Sequence, residues 1–203
     1  MHDLALIQST TRDTGPAPSG RFDAFSIGLH WTSVLLIAGL FASAWSLGLA
    51  SDGAAAASLL TLHRSLGVSL GLLAIVRLCW RLSLAVRPPL PASTPPAQRR
   101  AAAISEFALY VLLLFQPLTG LAQSVTRGRP FQLFVFEAPK LMPKDKGLTT
   151  FFHEVHELTA LALLGLIGLH VAAALFHGLV RKDTVLQSML PWRAMARKSR
   201  AGE

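Results

Sequence analysis

Five of the seven histidines, His30, His63, His156, His170 and His177, lie in or at the ends of long apolar runs. Ionisable side chains are expensive in such surroundings and usually do chemistry there. His156 and His170 are 14 residues apart. On a helix that spacing is a rise of about 21 Å with an angular offset of only about 40°. Both imidazoles therefore share one stripe, one toward each end of the run. His30 opens the first apolar run and His63 lies early in the second. With alternating helix directions, depth alone pairs His30 with His170 and His63 with His156. Two imidazoles meeting at one depth offer both axial positions of a haem iron, so two pairs suit two stacked b-type haems. Bis-imidazole ligation leaves the iron no open position, which fits electron transfer better than oxygen binding.

Residues around the pairs extend this expectation. Arg64 adjoins His63, and Arg77 lies 14 residues beyond His63, repeating the helical spacing toward the inner pair. Both are candidates to meet haem propionates; for Arg77 the alternative is a snorkelling cation at a helix end. Gly28, Gly67, Gly71, Gly165 and Gly168 would leave room for a flat macrocycle. The segment HEVHE at 153–157 is not the H-E-x-x-H of a zinc protease. His153, 17 residues before His170, lies about 100° around the helix, so it is expected on the outer surface, with His156 the ligand. Cys79 is the single cysteine and no C-x-x-C-H occurs, so a haem would be held by coordination and packing alone.

The elements that position these groups follow from the apolar pattern. Of the 203 residues, 52% are apolar and 15% charged, and the mean hydropathy is +0.47. Soluble domains carry nearer a quarter charged residues, so the composition points to lipid. The net charge of +8 is spread in short basic blocks between apolar runs, a membrane-loop layout that argues against nucleic acid. Residues 1–20 read as a disordered lead-in and 193–203 as a basic tail. Apolar runs at roughly 24–48, 58–80, 104–125 and 155–180 are each long enough to cross a bilayer as a helix. The first run is long for a signal peptide and follows Asp3, Asp13 and Asp23 rather than a basic head. The expected fold is an all-α integral membrane bundle of four transmembrane helices spanning a domain at 21–192.

Loop charges give the orientation. Arg12 and Arg21 precede the first run; Arg81, Arg87, Arg99 and Arg100 join the second to the third; Arg181, Lys182 and the tail cations follow the fourth. The SDGAAAAS connection has no basic residue. Both termini are therefore expected in the cytoplasm. One loop opposes the rule: residues 126–152 carry Arg127, Arg129, Lys140, Lys144 and Lys146 on the outside. Its apolar Phe131, Phe134, Val135 and Phe136 are expected at the interface or capping the bundle.

Taken together, IGLHWTSVLL, LHRSLGVSLGLLAIVRLCWRL, ALYVLLLFQPLTG, TRGRPF, VHELTALALLGLIGLHVAAALFH and KDTVLQSMLP resemble the bacterial cytochrome b-561 family, in order over about residues 21–192. The resemblance implies haem ligands at His30, His63, His156 and His170, the pairs that depth also suggests. It extends to members that take electrons from superoxide outside and reduce ubiquinone, and it places His177 near a quinone site. The alternative for His177 is an interfacial residue touching headgroups. Glu106 departs from the pattern, since relatives often carry His before the ALYVLLL-like run.

The resemblance implies a superoxide:quinone oxidoreductase in the bacterial inner membrane, with two haem b groups and ubiquinone as acceptor. A cationic outer loop would steer anionic superoxide, with Arg127 the first candidate because it follows the third helix directly. The same helices would also serve an electron-transfer subunit docked to a hydrogenase, dehydrogenase or periplasmic partner. A haem-free bundle is the third reading.

Overall fold

A computed structural model describes residues 20–191, so the expected lead-in, apart from Gly20, and the tail at 193–203 lie outside the described residues. Four helices dominate: α1 (Ala24–Leu49), α2 (Gly53–Ser83), α3 (Pro96–Thr126) and α4 (Lys146–Leu175), the last continued by a π-turn at Phe176–Val180. All four are long and apolar enough to span a membrane.

Each helix is longer than its apolar run, and side-chain caps start three of them. Asp23 accepts from Ser26 N–H at 2.8 Å, Asp52 from Ala54 and Ala55, and Asp145 from Leu148. Pro96 begins α3, where a missing N–H costs nothing. The SDGAAAAS connection is therefore mostly helical: α2 starts at Gly53 rather than near 58. Likewise α4 starts nine residues before 155, at Lys146. Alanine's helix propensity and the Asp145 cap account for these extensions.

The helices pack as two antiparallel hairpins, α1 on α2 and α3 on α4, joined by α2 on α3. Leu70, Ala74, Leu113 and Leu163 form the small buried core where these elements meet. Gly71 lets α3 approach closely: an added Cβ would sit 3.0 Å from Pro117, so this glycine serves helix packing rather than room for a macrocycle. Most other apolar side chains face outward, as lipid allows. Every buried side-chain polar atom among the described residues has a partner.

Between α3 and α4 the chain makes a two-stranded antiparallel hairpin, β1 (Phe131–Leu133) with β2 (Phe136–Ala138). Phe131 is buried, whereas Val135 at the tip is 87% exposed. Phe134 adopts φ 52°, a turn position usually left to glycine, and its N–H donates to Ser65 Oγ at 2.7 Å. The hairpin is thus pinned to α2 two residues from His63. Thus the expected apolar segment is both cap and exposed tip.

Candidate functional site

The four intramembrane histidines form two facing pairs. His63 on α2 meets His156 on α4 with ring centroids 6.3 Å apart and planes at 76°. His30 on α1 meets His170 on α4, also at 6.3 Å, with planes at 59°. Each pair reaches across the gap between the two helical hairpins. Two metal–nitrogen bonds of about 2.0 Å, plus roughly 1.1 Å from each nitrogen to its ring centre, sum to about 6.2 Å. The spacing thus admits one iron between each pair of rings. Among the described residues no three His, Cys, Asp or Glu side chains converge on a metal position. Two ligands per site suit the axial positions of a haem and fall short of a structural zinc site.

Proton positions at the outer pair follow from the hydroxyls beside it. Ser43 Oγ donates to Leu40 O at 2.9 Å, so its single proton is committed. His63 Nδ1, 3.0 Å from Ser43 Oγ and 3.1 Å from Leu40 O, must therefore be the donor. The same logic holds on the other side. Thr119 Oγ1 lies 2.9 Å from Gln116 O and 3.0 Å from His156 Nδ1, so with its own proton on Gln116 O it accepts from the imidazole. A proton on Nδ1 leaves Nε2 with the free lone pair a metal ligand needs, an arrangement that Leu40 O fixes at His63 and Thr119 accommodates at His156. Gln116 Nε2 also donates to His156 O at 2.9 Å, tying α3 to α4 at this depth.

A cavity of about 600 Å³ opens between the hairpins and is lined by His63, His156, Arg64, Gly67, Gly120 and Arg127. The volume lies within the range of cofactor sites. Gly120 makes the approach possible, since a Cβ there would sit 3.0 Å from the His156 ring. Gly28, Gly165 and Gly168 have open space where a Cβ would project. These residues fit haem at the outer pair, and the inner pair has the same spacing.

The expected arginines divide between the two ends. Arg64 donates from Nε to Ser124 Oγ at 3.0 Å and lies over the Phe131 ring at 5.4 Å. Arg127 caps α3 at the cavity mouth; burial and then the neighbouring Arg129 lower its guanidinium below its ordinary value. At the inner end Arg77 Nη2 is 3.2 Å from His30 Nδ1, with its guanidinium over Tyr110. Arg81 lies over the same ring and forms an ion pair with Glu106. The His153 side chain is 60% exposed and 3.9 Å from Glu157, and both residues line the cavity. Cys79 is a free, exposed thiol on α2.

His177 stands apart from both pairs, in the π-turn. Its Nδ1 donates to Asp183 Oδ2 at 2.6 Å, and Asp183 N–H donates back to His177 O at 3.1 Å. Burial raises the Asp183 carboxyl, but the bonds from His177 and Val185 outweigh it and hold the group below its ordinary value. The following segment is strapped to α1 and to the residues just before it: Trp31 Nε1 donates to Met189 O at 2.8 Å, and Arg21 to Leu190 O at 2.6 Å. Sequence reasoning missed Ser43, Thr119, Gly120 and Asp183. Thr119 and Gly120 stood in the ALYVLLLFQPLTG segment, and a small or hydroxylated residue beside an apolar stripe was the available signal.

The prokaryotic cytochrome b561 family matches residues 21–192. Cytochrome b561 homolog 2 of Escherichia coli K12 is 30% identical over 172 residues, covering 84% of this chain and 91% of that protein. Cytochrome b561 homolog 1 of the same organism is 29% identical over 176 residues, 85% of this chain and 98% of that protein. The probable superoxide oxidase CybB of Yersinia pestis is 28% identical over 174 residues, 84% of this chain and 96% of that protein.

Proposed function

The chain belongs to the prokaryotic cytochrome b561 family of membrane electron-transfer proteins, and on that premise we propose that it oxidises superoxide outside and reduces ubiquinone inside. Two superoxide anions would each give up one electron and leave as oxygen. One quinone would take the two electrons and two protons to become quinol. His63 with His156, and His30 with His170, would each hold one haem b, and these groups would supply the one-electron chemistry. The protein would sit in the bacterial inner membrane with both termini cytoplasmic, as the loop charges favour.

The chain's own residues have separable tasks. His63 and His156 bind through Nε2 while Leu40 O, Ser43 and Thr119 fix their rings. Arg127, with Arg129, Lys140, Lys144 and Lys146 in the same loop, would draw an anion toward the outer pair. Asp183 holds His177 with its Nδ1 proton inward, leaving Nε2 to hydrogen-bond a quinone oxygen.

The observation that carries this reading is the outer cavity, where facing imidazoles and the cations Arg64 and Arg127 line one space. The relative named as a probable superoxide oxidase supports the same substrate. The exposed apolar hairpin tip, Val135 and Phe136, favours a second reading, an electron-transfer subunit that docks a redox partner there. Stopped-flow mixing of the purified, haem-loaded protein with superoxide separates the two. Haem reduction faster than spontaneous dismutation, with no other protein present, supports the first; its absence supports the second.

A further inference from the structure

The two histidine pairs share one spacing but not one electrostatic setting. Both outer rings set Nδ1 against protein oxygens able to accept its proton, and such a bond makes an imidazole a more electron-rich ligand. The inner ring of His30 instead faces Arg77 Nη2 at 3.2 Å, a donor-only group, so a neutral His30 bound through Nε2 would turn its Nδ1 proton toward a cation rather than toward an accepting oxygen. Two arginines flank the Tyr110 ring, Arg77 at 5.6 Å and Arg81 at 5.9 Å. Glu106 pairs with Arg81. Arg77 forms no ion pair among the described residues, so no carboxylate side chain pairs with its charge beside His30.

From this asymmetry we propose that Arg77 tunes the inner haem, making it easier to reduce than the same histidine pair would be alone. The inference rests on the ligand assignment above. Reduction adds one negative charge to the site, and a fixed cation touching a ligand stabilises that state, strongly so where water is excluded. At the outer pair Arg64 and Arg127 line the cavity, and the Arg64 guanidinium is directed at Ser124 and Phe131 rather than at an imidazole nitrogen. Glu106 lies within Coulombic reach of His170 and opposes Arg77 from the α3 side.

Spectropotentiometry of the haem-loaded protein in detergent reads both sites by their visible bands. We expect Arg77→Gln to keep two haems and lower the inner midpoint alone, shifting the electron distribution between the sites about tenfold, or about 59 mV for one electron. Arg77→Lys should retain most of the parent value. Glu106→Gln should move the inner midpoint the opposite way, upward. An unchanged inner midpoint in Arg77→Gln overturns the proposal. So does a raised one, which would mean that Arg77 promotes an imidazolate ligand. If Arg77→Gln loses the inner haem, Glu106→Gln decides, and an inner midpoint that does not rise overturns it. Failure of the ligand assignment looks different: His30→Ala would then leave both haems in place.

Discussion

His63 and His156 face each other at 6.3 Å, yet each ring is fixed by its own hairpin: His63 by Leu40 and Ser43 of α1, His156 by Thr119 of α3. The outer site is therefore where two independently packed halves meet. Its geometry depends on how closely α3 can approach α4, and Gly120 sets that approach. An ordinary side chain in its place would push directly on the ligand.

Gly120→Ala should thus selectively damage the outer site. The added methyl would lie 3.0 Å from His156 Cε1 and 3.3 Å from Nδ1. Overpacking of this kind costs about 1–3 kcal/mol when neighbours must shift. Haem content of the purified variant should fall toward one per chain, with the inner band retained. Gly71→Ala, crowded against Pro117 instead, should lower thermal stability without choosing between the haems.

The inner end gives a prediction about quinone and about acid. His177→Ala should keep both haem spectra and slow quinone reduction at least several-fold, and Asp183→Asn should slow it in the same direction. Unchanged quinol formation in both would remove His177 from the site. Because Asp183 is held below its ordinary 3.8, its contribution to the strap is fully present above that value. It is lost only as pH falls through the lower folded value. Hydrogen exchange over residues 183–190 should stay slow at pH 5 and rise in stronger acid.

At the outer face, haem reduction by superoxide should slow as salt rises, because exposed charges are screened over about 8–10 Å at ordinary ionic strength. Neutralising Arg127 together with Arg129 should reduce both the rate and its salt dependence. Lys140, Lys144 and Lys146 should have smaller effects, adding to the general field. A neutralised variant with the parent's rate at low salt would rule out steering.

The four spans and the pairing by depth were legible because 14 residues on a helix fix both height and direction. Depth arithmetic needs no knowledge of side-chain packing. The partners that orient the rings were not legible. Ser43 lies 20 residues from His63, and Thr119 lies 37 from His156. Such contacts depend on which helices adjoin and on their rotation about their axes. Gly71 shows the same limit: it marks a close approach, but its neighbour is Pro117. Asp183 was hidden because the π-turn brings it back to His177, which regular helical spacing would not do.

Counting haem bound to the parent and to single-histidine variants decides whether the two histidine pairs each hold one haem. Pyridine haemochrome analysis of fully loaded protein should give two b haems per chain. His63→Ala or His156→Ala should each leave only the inner haem, and His30→Ala or His170→Ala only the outer. One haem in the parent would contradict the account, as would a variant series in which His153→Ala removes a haem and His156→Ala does not.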